Sequence, residues 1–123
     1  MIFLEINKPS TTAVNKVTNE VVEAALKVMS KDLYKVILYG SYARGDNTAE
    51  SDIDIMILLD CSKEKMKEYR DLFLDESSRI GLEYDVLVAV VLREKEDFVD
   101  KISYYPFYQN VEREGVELYG RAA

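Results

Sequence analysis

The run Asp52-Ile53-Asp54-Ile55-Met56-Ile57-Leu58-Leu59 constrains this chain more than any other stretch. It alternates polar and apolar at its start and then becomes wholly apolar, the pattern of a β-strand half exposed at its N-terminal end. Side chains alternate along a strand, so Asp52 and Asp54 point the same way, with α-carbons about 6.5–7 Å apart. Ile53, Ile55 and Ile57 point to the other face, toward the core. Two carboxylates held that close repel each other and cost stability unless something neutralises them. A divalent cation does so best, and Mg²⁺ prefers oxygen ligands.

Other elements follow from the same kind of reading. Ser10 is the expected cap of an amphipathic helix running to about Lys31, with Val14, Val17, Val21, Ala25 and Val28 at three- and four-residue steps. "YKVILYG" reads as a short buried strand ending at Gly40. Ser62 is the expected cap of a helix carrying Met66, Tyr69, Leu72, Phe73 and Ile80 and stopped by Gly81. "LEYDVLVAVV" reads as a third strand. The tail suggests a turn at Pro106, a short helix from Phe107 to Glu112 and an extended piece from Val116 to Tyr119. No repeat, linker or low-complexity tract appears, so residues 1–123 read as one domain. A sheet covered by helices, an α+β or α/β sandwich, is the expected architecture.

Composition narrows the chemistry. With 23 acidic and 16 basic residues the net charge is -7, which repels phosphate and argues against nonspecific binding to nucleic acid or anionic lipid. An acidic protein still binds a nucleotide where metal ions supply positive charge locally. The sequence has no histidine and a single cysteine, Cys61. A histidine base, a Ser-His-Asp triad, an internal disulfide and a cysteine zinc site are therefore excluded within the chain. The start lacks the pattern of a signal peptide, and no apolar run approaches the roughly 20 residues of a membrane span. A cytoplasmic protein is the expectation.

Two further features extend the Asp52–Asp54 pair. In "EYDVLV", Asp85 sits in an apolar run and shares a strand face with Glu83. On a neighbouring strand it would complete a triad in which two carboxylates hold metals and the third also accepts a proton; pairing with Arg44 or Arg79 is the plainer alternative. Upstream, in "LYGSYARG", Gly40 lets the backbone approach a ligand closely. The Ser41 hydroxyl and the free N–H groups of the turn suit a phosphate, Arg44 adds a planar donor fork, and Gly45 suits a left-handed end to the turn. Alone, a Gly-Ser is usually just a turn and an Asp-x-Asp an exposed strand end. Their combination, in this order and on these elements, points to a metal-dependent site.

Gly40-Ser41, ten residues, then Asp52-Ile53-Asp54 resembles the signature of the DNA polymerase β nucleotidyltransferase superfamily. "GSYARGDNTAESDIDIMILL" is similar to its minimal nucleotidyltransferases, small proteins often encoded beside a HEPN-domain partner, and "PFYQNVEREGVELY" resembles the end of those domains. The resemblance implies a mixed sheet with flanking helices, two Mg²⁺ ions, and transfer of a nucleoside monophosphate, usually AMP from ATP. It implies that Gly40 and Ser41 contact the triphosphate, that Asp52 and Asp54 hold the metals, and that Asp85 is the third carboxylate. The role of Arg44 is read from its chemistry alone.

Three functions fit these features. The first is adenylylation of a tyrosine on a partner HEPN toxin, which makes the chain an antitoxin. The second is transfer to a small molecule, as in aminoglycoside-modifying relatives, although those add an acceptor-binding helical domain. The third is neutralisation of the partner by contact alone. Tyr104, Tyr105, Phe107 and Tyr108 suit either a partner patch or, more simply, a cover for one end of the sheet. An open sheet edge suits a homodimer or hetero-oligomer. The "KEKMKE" and "REKED" runs read as solvated surface.

Overall fold

The computed structural model describes residues 11–121; the expected cap at Ser10 lies outside them. Its strands are β1 (Leu33–Tyr39), β2 (Ile53–Leu59), β3 (Val88–Glu94) and β4 (Val116–Gly120). Its helices are α1 (Thr11–Met29), α2 (Ser41–Arg44), α3 (Lys63–Tyr84), α4 (Lys95–Lys101) and α5 (Pro106–Glu114). The strands form one mixed sheet in the order β3-β2-β1-β4. Strand β1 runs antiparallel to both β2 and β4, and β2 runs parallel to β3. A parallel neighbour requires a crossover, which α3 provides.

Strand β2 explains why helices cover both faces. Ile53, Ile55, Ile57 and Leu59 are buried against α1 and α3, in one core with Val21, Ala25, Phe73 and Ile80. Met56 and Leu58 are buried on the opposite face with Ile37, Tyr108 and Val111, under α4 and α5. The central strand is therefore sealed on both sides beyond Asp54. The sandwich of helices and mixed sheet agrees with the expectation from sequence.

Helix α1 ends at Met29, and a 3₁₀ turn over Ser30–Asp32 takes its place before β1. Helix α3 starts as expected: the Ser62 side chain accepts the Lys65 N–H at 3.2 Å. Its end is different. Gly81 does not stop it, because the apolar stripe of Met66, Tyr69, Phe73 and Ile80 continues to Tyr84. The Tyr84 hydroxyl donates to the Glu20 carboxylate of α1, which secures the last turn. A Cβ at Gly81 would stand 2.6 Å from the Val86 carbonyl, so this glycine lets the returning chain pack on the helix. The third strand consequently starts at Val88 instead of Leu82.

The "REKED" run is a helix start, not plain surface. Helix α4 turns Phe98 inward, where it stacks on Tyr108 at 4.8 Å, and Asp97 accepts the Tyr108 hydroxyl at 2.5 Å. That bond, before the one from Lys101, holds the Asp97 carboxyl below its ordinary range. The aromatic cluster divides. Tyr108 is buried and Phe107 packs edge-on against Tyr39, whereas Tyr104 and Tyr105 are exposed.

Candidate active site

The turn from β1 into α2 faces the start of β2. Gly40 has φ 78° and ψ -156°, a conformation that L side chains rarely adopt. A Cβ there would also collide with the Asp54 carboxylate. The glycine thus lets the backbone press against a protein carboxylate, a closer approach than any side chain permits. Gly45, at φ 84°, ends α2 in the left-handed conformation expected of it, its N–H bonded to the Ser41 carbonyl.

Asp54 lies on β2 with Tyr39 of β1 on one side and Ala89 of β3 on the other, in register. Asp52 precedes the strand by one residue. Neither carboxylate has a hydrogen bond or ion pair among the described residues. Burial, and then the charge of Asp52, raises the Asp54 pKa, with Arg44 opposing. Burial followed by Asp54 raises Tyr39, and burial followed by Asp52 raises Tyr42. The Tyr42 hydroxyl is buried and has no hydrogen-bond partner among the described residues.

Asp85 is not on a strand. It caps the C-terminus of α3 at φ 53°, ψ 50°, a left-handed geometry that aspartate tolerates better than most residues. The face shared with Glu83 therefore does not exist, and Ala89 stands beside Asp54 where a strand carboxylate would complete a triad. Among the described residues no group of three acidic, histidine or cysteine side chains gathers at metal-binding distance. Asp85 does line, with Asp52, Ser51, Tyr84 and Val86, a cavity of about 170 Å³. Its alternative partners are engaged elsewhere: Arg79 with Glu20, Glu76 and Glu83, and Arg44 with Asp46 and Glu114.

The Asp52–Asp54 pair fits a hard divalent cation. Two uncompensated carboxylates supply oxygen donors, and Mg²⁺ is commonly held by one or two carboxylates with substrate phosphates as the remaining ligands. A third protein ligand is not required for that arrangement.

Reading the sequence missed Glu114. From the end of α5 its Oε1 accepts the Gly40 N–H at 3.3 Å and Arg44 Nη1 at 3.0 Å. The signal available was an acid within "VEREGVELY", a stretch whose packing onto β1 has no mark in the motif itself.

A glycine–serine turn pressed on Asp54, with Asp52 two residues before it, over a mixed sheet flanked by helices, is the arrangement that the signature implies. Comparison with known proteins gives the family and the fold. The nucleotidyltransferase domain family model matches residues 20–115, and the chain belongs to that family. A Methanocaldococcus jannaschii protein named as a candidate protein adenylyltransferase is 38% identical over 104 residues, covering 85% of this chain and 96% of the relative. A second protein of that organism, with the same kind of name, is 37% identical over 84 residues, covering 63% and 80%. Among solved structures, a toxin–antitoxin crystal structure with AMP-PNP aligns with a TM-score of 0.51 at 22% identity, over 85% of this chain and 73% of the other. Another toxin–antitoxin structure gives 0.50 at 20% identity, over 85% and 73%. These two likenesses concern the fold. The chain is a nucleotidyltransferase. Among the described residues, no helix is long and apolar enough to cross a membrane.

Proposed function

We propose that this chain is a one-domain, Mg²⁺-dependent adenylyltransferase that moves AMP from ATP to a tyrosine hydroxyl of a HEPN-domain toxin, acting as its antitoxin. The observation that carries the transfer chemistry is the Asp52–Asp54 couple, without a hydrogen bond or ion pair among the described residues, with Asp54 pressed against Gly40. The protein acceptor is supported by the relatives' names, by the toxin–antitoxin neighbours and by the minimal form of the signature.

In this reading Gly40 and Ser41 hold the triphosphate, and Asp52 and Asp54 hold the cation. Mg²⁺ held by Asp52 and Asp54 would offset the charge on the phosphates. The acceptor oxygen bonds to the α-phosphorus, the bond to the bridging oxygen breaks, and pyrophosphate leaves. The proton of the acceptor hydroxyl passes to the third carboxylate that the resemblance implies, Asp85, which leaves Asp52 and Asp54 to the cation. In support, Asp85 lines the same cavity as Asp52 from the C-terminal cap of α3.

The experiment is incubation with Mg²⁺ and α-labelled ATP, with and without a HEPN protein encoded beside this chain, read by intact mass. AMP added to the partner, and lost with Asp52→Ala/Asp54→Ala while the fold survives, supports the proposal. A stable silencing complex without transfer refutes it in favour of neutralisation by contact. Transfer to an aminoglycoside instead moves the acceptor to small molecules.

A further inference from the structure

The carboxylate of Glu114 reaches the site turn from 74 residues further along the chain. Its position is fixed from three directions. Tyr108 and Val111 bury α5 on the sheet. The next residue, Gly115, is so close to β1 that a Cβ would stand 2.6 Å from the Ile37 side chain. Strand β4 then pairs with β1, with Val116 opposite Leu38 and Glu117 opposite Ile37. The Glu114 side chain is only 20% exposed, and it meets both ends of the turn: the Gly40 amide and the Arg44 guanidinium. Arg44 Nε meanwhile holds Asp46 at 3.1 Å.

We propose that Glu114 is a positioning residue, which sets the Gly40–Arg44 turn at a fixed height against Asp54 so that Ser41 meets the nucleotide. This rests on the nucleotidyl-transfer reading for its consequence in catalysis, although the clamp itself is independent of it. Arg44 becomes part of the clamp and not a direct ligand of phosphate. An opposite role has the same geometry: Glu114 as an internal anion occupying donors that a phosphate would claim. The two roles predict changes of opposite sign. If Glu114 positions the turn, removing it weakens nucleotide binding; if it competes, removing it strengthens binding.

The test uses Glu114→Ala, Glu114→Gln and Glu114→Asp in the full chain. Titration with a non-hydrolysable ATP analogue and Mg²⁺ is paired with amide hydrogen exchange measured without nucleotide. Glu114→Ala should weaken analogue binding roughly tenfold, the loss expected of one charge-assisted hydrogen bond. It should raise the KM for ATP more than it lowers kcat. Glu114→Gln keeps the reach and an acceptor oxygen and should recover most of the binding. Glu114→Asp keeps the charge but lacks the reach and should behave like alanine. Exchange over residues 41–46 should quicken in the alanine and aspartate variants, with α1 and β2 unchanged. Analogue binding as tight as wild type or tighter in Glu114→Ala, or unchanged exchange in the turn, overturns the proposal. If the wild-type protein binds no nucleotide, the functional reading fails and exchange alone decides the clamp. If Glu114→Ala does not fold, the contrast between the glutamine and aspartate variants decides it.

Discussion

Replacing Asp54 by asparagine should stabilise the metal-free protein while ending nucleotide transfer. The carboxylate is raised by burial and by Asp52, so its charge opposes folding. Two unit charges about 7 Å apart repel by roughly 2.4 kcal/mol at an effective dielectric of 20, and by about 0.6 kcal/mol in bulk water. For a partly solvated strand end, about 1 kcal/mol is the expected relief, or roughly 4 °C in melting temperature for a chain of this size. No hydrogen bond of Asp54 among the described residues is lost in exchange. The pH dependence follows. A carboxyl whose folded pKa lies above its unfolded value burdens the fold as pH rises through the unfolded value, and fully above the folded one. The gain should therefore be complete at pH 7 in EDTA and should fade as pH falls toward about 4. Added Mg²⁺ should raise the melting temperature of the wild type but not of Asp54→Asn, erasing or reversing the difference. Scanning calorimetry with and without EDTA measures both. An Asp54→Asn protein that melts below wild type in EDTA at pH 7 would refute the reasoning.

Gly40→Ala should lose about 2 kcal/mol from its positive φ alone and lose transfer activity, since its methyl group meets Asp54; melting and a transfer assay report the two effects. Ser62→Ala should cost about 1 kcal/mol of stability with transfer unchanged, because it removes only the cap of α3. Phe73→Ala, in the core under β2, should cost about 3–5 kcal/mol in urea titration. Asp97→Asn should flatten the acid side of the stability profile. Asp97 is held below its ordinary range, so its contribution is full at neutral pH and is lost as pH falls through its folded value.

The centre of the site was legible because its physics is local. Asp52 and Asp54 follow from a two-residue period, and Gly40 and Gly45 from backbone conformations that glycine tolerates best. The sheet's two covered faces follow from the apolar run after Asp54. Asp85 was expected on a strand because Val86–Val91 is rich in β-branched residues, yet Tyr84 continues the helical stripe of α3 and bonds to Glu20. Tertiary contact outweighed propensity there. Helix α4 was hidden by its charges, since among its residues Phe98 joins a core cluster, followed by Ile102 at its C-terminal cap. Glu114 was hidden by distance, because no sequence pattern records a contact across 74 residues.

That distance also orders events during synthesis. The aspartates and the glycine turn leave the ribosome before α3 and β3, which can dock behind them as they emerge. The turn remains unbraced until α5 and β4 have emerged and settled on β1, because its strut arrives with Glu114. A nascent chain that has already built the carboxylate pair therefore lacks the bonds of Glu114 to Gly40 and Arg44. If Glu114 positions the turn as proposed, competence waits for the stretch from Pro106 to Gly120, and products cut short before it carry the motif without its brace.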